Sequence, residues 1–151
     1  IWDNIPMWHA LTLINYFEEK GAVFVYEAYT NNIWGNNVPS GRLDPERPLE
    51  TLAEKYLTVW VNYPLEERIK IYSRAIEDYK VDGIVLFSNR SCRPNSMGQI
   101  ELAKALKERH GIPSLVLEGD MGDPESYNER ETKGRVDSFI EVLERTKAAR
   151  G

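Results

Sequence analysis

The run from Val81 to Ser88, VDGIVLFS, places apolar side chains at four consecutive positions, Ile84 to Phe87. An extended segment that is apolar on both faces needs cover on both sides, as the central strand of a parallel sheet has. Helical patterns elsewhere in the chain supply that cover. From Pro6 to Lys20, Ala10, Leu11, Ile14 and Phe17 fall at helical spacing, and Gly21 follows as a left-handed stop. Ala22 to Glu27, AVFVYE, is short, apolar and rich in β-branched and aromatic residues, so it reads as a second buried strand.

Leu49 to Trp60 reads as a helix, and another opens at Pro64 with Glu66 and Glu67 in its first turn, where they complement the macrodipole. Ile69, Tyr72, Ile76 and Tyr79 mark its apolar face. Asn95 or Ser96 is placed to cap a further helix carrying Ile100, Ala103 and Leu106 and ending at Gly111. Pro113 to Glu118 reads as a third strand. The last helix carries Val136, Phe139, Ile140 and Leu143, with Arg145, Lys147 and Arg150 at its cationic end.

Strands alternating with helices predict an α/β fold in three layers: a small parallel sheet of about three or four strands flanked by helices, Rossmann/flavodoxin-like, with right-handed crossovers. The 151 residues suit one domain spanning 1–151. Between Thr30 and Pro48 the chain is rich in Asn, Gly and Pro and follows neither period. A stretch this long reads as a lid, a binding loop or a partner-facing segment, and Trp34 within Asn31 to Asn37 argues against a bare connector.

Composition narrows the function. With 19 Lys and Arg against 24 Asp and Glu the net charge is -5, which offers no general attraction to nucleic acid or anionic lipid. No apolar run is long enough to span a bilayer, and the single cysteine suits a reducing compartment, so the expected location is the cytoplasm. The opening Ile1-Trp2-Asp3-Asn4 has no signal-peptide character, and its abrupt start without Met suggests a processed chain or one cut from something longer. With neither a GxGxxG nor a Walker loop in the chain, no nucleotide is expected to bind this domain.

Open parallel sheets bind ligands beyond the carboxyl ends of their strands. Loops beginning near Tyr29, Asn89 and Gly119 are expected there, so Asn89-Arg90-Ser91-Cys92-Arg93-Pro94 and Glu118-Gly119-Asp120 should face a common region. Cys92 precedes a helix between two arginines, a setting that favours thiolate. A thiolate can attack or ligate; a packed, inert cysteine satisfies the same pattern. Nucleophilic catalysis wants a histidine, and His9 and His110 both fall at helix positions that the pattern does not bring to this loop. A metal site wants about four donors, more than this chain's one thiol. Glu118 and Asp120 suit either acid/base work or a solvated turn.

The residues of these segments carry a resemblance. Val81 to Pro94 (VDGIVLFSNRSCRP), Gly98-Gln99, Gly111-Ile112-Pro113, Leu115 to Glu118, Asp120-Met121, Asp123-Pro124, Arg135 and Phe139-Ile140-Glu141 resemble the C-terminal lobe of the 2-hydroxyacyl-CoA dehydratase family, which also holds the benzoyl-CoA reductase subunits. Trp2 to Trp8 (WDNIPMW) and Gly21 to Tyr26 (GAVFVY) look like the start of that lobe.

The resemblance implies a two-lobed subunit that pairs with a sister subunit and holds a 4Fe-4S cluster through cysteines of both lobes. Cys92 would be this lobe's ligand, with the remaining ligands outside this chain. Ser88, Asn89, Arg90, Ser91, Glu118 and Asp120 would stand around the cluster or the substrate. The implied chemistry is lyase chemistry under anaerobic conditions: an ATP-hydrolysing activator protein delivers one electron, the acyl-CoA thioester becomes a ketyl radical, and water leaves. The lobe alone would be inactive. A benzoyl-CoA-reductase-type subunit and a non-catalytic assembly or activator-docking module are the competing expectations, and a cysteine-nucleophile transferase ranks behind them. Glu125 stands where the family pattern has a basic residue after Asp123-Pro124, so the contact that a basic residue makes there is not carried over to this chain.

Overall fold

The computed structural model describes residues 1–31 and 43–150, with the side chain of Arg150 excepted. Trp34 and the rest of the expected Asn31 to Asn37 segment from residue 32 onward lie outside the described residues.

The predicted central strand forms as β2 (Ile84–Asn89), between β1 (Trp2–Asp3) and β3 (Ser114–Gly119). All pairings are parallel. Trp2 lies opposite Val85 and Asp3 opposite Leu86, while β3 runs the full length of β2, from Ile84 opposite Ser114 to Asn89 opposite Gly119. Successive side chains of a strand point to opposite faces. Ile84 and Leu86 accordingly pack with Ile69, Tyr72, Ile76, Leu102 and Leu106, whereas Val85 and Phe87 pack with Leu13, Phe17, Val136 and Phe139. Each fully buried side chain of this kind contributes about 1.5–3 kcal/mol of transfer free energy.

Those two sets of partners define the outer layers. α3 (Leu65–Tyr79) and α5 (Gln99–His110) cover one face; α1 (Thr12–Glu19) and the long α6 (Glu129–Arg150) cover the other. The fold is thus the three-layer α/β arrangement that the pattern predicts. Pro64 precedes the first residue of α3, and Glu66 and Glu67 occupy its first turn. The stops at Gly21 and Gly111 are real: both adopt positive φ, 82° and 65°, and the Gly111 amide closes α5 on the Lys107 carbonyl at 2.9 Å.

Several boundaries differ from the sequence reading. The expected strand Ala22 to Glu27 makes a single bridge, Glu27 to Trp2, supported by the Trp2 amide on the Tyr26 carbonyl at 3.0 Å. Val23 and Val25 are 68% and 46% exposed, so this edge segment lacks the cover that makes β-branched residues favourable in a strand. The first expected helix divides into a 3-10 turn, Trp8–Ala10, and α1. Likewise Leu49 to Trp60 becomes α2 (Pro48–Leu57) followed by a 3-10 turn, Trp60–Asn62. Asn95 and Ser96 do not cap α5. They lie inside a separate short helix, α4 (Arg93–Ser96), and Gly98 holds the N-cap position of α5 at φ 74°.

Candidate functional site

The carboxyl ends of the strands gather the segments that carry chemistry. Past Asn89 the chain turns at once: the Cys92 amide donates to the Asn89 carbonyl at 3.1 Å, and the Ser96 amide returns to the Cys92 carbonyl at 3.2 Å. The Ser96 hydroxyl donates to the carbonyls of Asn89 (2.8 Å) and Cys92 (3.1 Å). Asn89 itself is buried, and its Oδ1 accepts from the Ser91 hydroxyl at 3.0 Å and the Ser91 amide at 3.3 Å. Cys92 therefore stands at the head of α4, half-buried, as a free thiol.

The neighbouring loop follows β3. The Arg90 amide donates to the Gly119 carbonyl at 2.9 Å, and the Arg90 guanidinium pairs with the Glu118 carboxylate at 2.9 Å, both side chains well exposed. Ser88 is paired with Glu118 in the ladder. Asp120 turns back on its own loop, accepting the amides of Gly122 (2.9 Å) and Asp123 (3.2 Å). The Gly122 amide, followed by a bond from the Ser91 side chain, holds its carboxyl below the ordinary value of 3.8. Glu118 and Asp120 are thus engaged by different partners, one by a cation and the other by turn amides.

A third contributor comes from the segment after β1. The Trp8 amide donates to the Met121 carbonyl at 3.2 Å, and His9 Nε2 sits 2.9 Å from the Asp120 carbonyl. A carbonyl oxygen only accepts, so Nε2 carries the proton in this contact. Sequence reasoning set His9 aside as a helix residue remote from this end of the sheet. The 3-10 turn redirects it onto the Asp120 loop, while His110 stays in the last turn of α5, 4.0 Å from Glu77. Tyr29 joins the same neighbourhood through its ring, 6.4 Å from that of Trp8.

Beneath the Cys92 turn lies a buried polar cluster that the sequence did not reveal. Asp3, Asn4, Arg68, Asn89, Asn95 and Gln99 are all at most 5% exposed. The Asn4 side chain donates to the Phe87 carbonyl at 2.8 Å and accepts from the Asn95 side chain at 2.9 Å. Gln99 Nε2 bridges the Asp3 carboxylate (2.9 Å) and the same Phe87 carbonyl (3.0 Å). Tyr72 donates its hydroxyl to the other Asp3 oxygen. Asn89 was a candidate, and Asp3, Asn4 and Gln99 lie in stretches that carry the resemblance, but no period joins these residues into one cluster because they are distant along the chain.

Among the described residues, no group of three or more His, Cys, Asp or Glu side chains is placed to hold a metal ion. No described helix is long and apolar enough to cross a membrane. A family model described as 2-hydroxyglutaryl-CoA dehydratase, D-component, matches residues 1–143. The chain belongs to that family. Its members similar to this chain include a benzoyl-CoA reductase subunit of Thauera aromatica, 30% identical over 132 residues that make up 87% of this chain and 30% of that protein. The alpha subunit of lactoyl-CoA dehydratase from Anaerotignum propionicum is 26% identical over 149 residues, 98% of this chain and 34% of its own length. The alpha subunit of (R)-2-hydroxyglutaryl-CoA dehydratase from Acidaminococcus fermentans is 29% identical over 103 residues, 68% of this chain and 22% of that protein. This dehydratase-family chain therefore spans about a third or less of these relatives.

Proposed function

We propose that the chain is the C-terminal lobe of a 2-hydroxyacyl-CoA dehydratase subunit and that Cys92 is its ligand to a 4Fe-4S cluster. The observation that carries this reading is the setting of the thiol: half-buried, at the carboxyl end of the central strand, in a turn fixed by Asn89 and Ser96. A cubane cluster takes about four thiolates. One cysteine fits as one of those donors, and the chain holds no second. The remaining ligands then belong to the rest of the subunit, in keeping with the share of its relatives that this chain covers.

When bound, such a cluster supplies single electrons to the thioester, the chemistry that loss of water from an unactivated position requires. The residues of this chain do the holding. Asn89 and Ser96 fix the backbone on both sides of Cys92, and the Arg90 and Glu118 pair links that turn to the end of β3. Asp120 keeps the adjoining loop in register through the Gly122 and Asp123 amides. The partners of this reading are the N-terminal lobe, a sister subunit, an ATP-hydrolysing activator protein and an acyl-CoA substrate. A benzoyl-CoA-reductase-type role is the second reading, favoured by the 30% identity to the Thauera protein.

Anaerobic iron and sulfide analysis of the complete subunit with its partner, with and without Cys92→Ser, tests the assignment. Loss of iron or a changed visible spectrum in the variant is expected; wild-type iron and activity would remove Cys92 as a ligand. A subunit without iron after reconstitution would favour a docking module. Turnover of 2-hydroxyacyl-CoA against aromatic acyl-CoA thioesters separates dehydratase from reductase.

A further inference from the structure

We propose that Asn4 is a positioning residue for the Cys92 turn, a role that rests on reading Cys92 as a cluster ligand. α4 contains four residues, too few to hold a helical turn on their own, so the turn depends on anchors outside it. Asn4 is one such anchor, and three of the four hydrogen-bonding positions of its side chain are engaged. Its Nδ2 donates to the Phe87 carbonyl of β2 at 2.8 Å; its Oδ1 accepts the Ile5 amide at 2.7 Å and the Asn95 Nδ2 at 2.9 Å. Asn95 lies three positions past Cys92, inside the turn that the Ser96 amide closes on the Cys92 carbonyl.

The same Phe87 carbonyl also accepts Gln99 Nε2, from the first residue of α5. One backbone oxygen with two lone pairs therefore joins the residue after β1, β2 and the segment that follows the cysteine. Asparagine suits this position twice over. It tolerates the positive φ of 80° found at Asn4, and its carboxamide offers a donor and an acceptor at once. Phe87 and Asn95 are buried, so the groups it binds on them cannot turn to water when it is removed.

The test uses the complete subunit with its partner. Asn4→Gly keeps the left-handed backbone available and deletes the carboxamide; Asn95→Ala deletes the other end of the bond. In metal-free protein the alkylation rate of Cys92 by iodoacetamide is followed on the Cys92 peptide by mass spectrometry. In reconstituted protein the cluster's EPR spectrum and midpoint potential are measured, which a general loss of stability does not move. Each variant is expected to speed alkylation on the order of tenfold, the factor for one net hydrogen bond, and the double variant to exceed neither single. The EPR spectrum and potential are expected to shift with iron retained.

Wild-type alkylation, spectrum and potential in both folded variants, together with iron loss in Cys92→Ser, would overturn the positioning role alone. Wild-type iron and spectrum in Cys92→Ser would overturn the ligand reading and this role with it. If Asn4→Gly does not fold, Asn95→Ala decides, since it leaves Asn4 bonded to Phe87.

Discussion

Arg68 and Asp3 face each other at 3.6 Å with neither side chain more than 5% exposed, an ion pair between α3 and the edge strand inside the core. Burial raises the Asp3 carboxyl above its ordinary 3.8, against the opposing pull of Arg68 and the bonds from Tyr72 and Gln99. Removing the cation leaves an uncompensated buried carboxylate. Arg68→Met should therefore cost about 3–5 kcal/mol at neutral pH by urea unfolding. The sign with pH follows from the raised value: the contribution of Asp3 is full below 3.8 and is lost as pH rises through its folded-state value. The deficit of Arg68→Met should shrink as the medium is acidified, and Asp3→Asn in that background should restore much of it. A deficit that is flat with pH would show that Asp3 is not the group responsible.

Gly83 leaves no room for a side chain. A Cβ there would stand 2.5 Å from Leu143 Cδ2, 3.0 Å from Phe139 Cζ and 3.2 Å from the Pro113 carbonyl oxygen. Gly83→Ala is expected to lose about 1–3 kcal/mol through this overpacking. Leu143→Ala in the same chain should recover part of the loss by removing the nearest atom; strictly additive losses in thermal or urea unfolding would contradict the contact.

Asp137 on α6 receives Lys20 at 2.8 Å and the Tyr16 hydroxyl at 2.8 Å, and those bonds hold its carboxyl below 3.8. A lowered carboxyl stabilises the fold in full above its unfolded-state value and ceases to do so as pH falls through the folded-state value. The melting temperature of wild type should exceed that of Asp137→Asn by a small, salt-sensitive margin at neutral pH, and the two curves should converge below pH 3.8. Curves that diverge on acidification would assign the pH dependence elsewhere.

Among the described residues Arg90 and Glu118 form the ion pair closest in sequence to Cys92, with side chains 59% and 60% exposed. Solvent screens such a pair, so Glu118→Gln should change stability by less than about 1 kcal/mol. Its functional effect is expected to be larger than its effect on stability, because it releases Arg90 beside Cys92. A loss well above that figure, by chemical denaturation, would mean that solvent does not screen the pair.

The central strand was legible because Ile84 to Phe87 is apolar on both faces, and α3, α5, β3 and α6 followed from helical or extended periods that packing respects. The place of Cys92 just beyond the carboxyl end of β2 was legible because Val81 to Ser88 already read as the central strand. The resemblance carried by Val81 to Pro94 named the family whose model matches residues 1–143.

Tertiary structure alone decided the rest. Trp2–Asp3 is a strand only because β2 offers it a free edge, and two residues carry no period of their own. Ala22 to Glu27 has strand propensity without a covered position to use it, so it forms one bridge. Asn4, Asn95 and Gln99 look solvent-seeking in a linear reading. They are buried because the carbonyl of Phe87 and the carboxylate of Asp3 offer bonds that replace those lost to water, and such partners, distant along the chain, exist only once the sheet has formed.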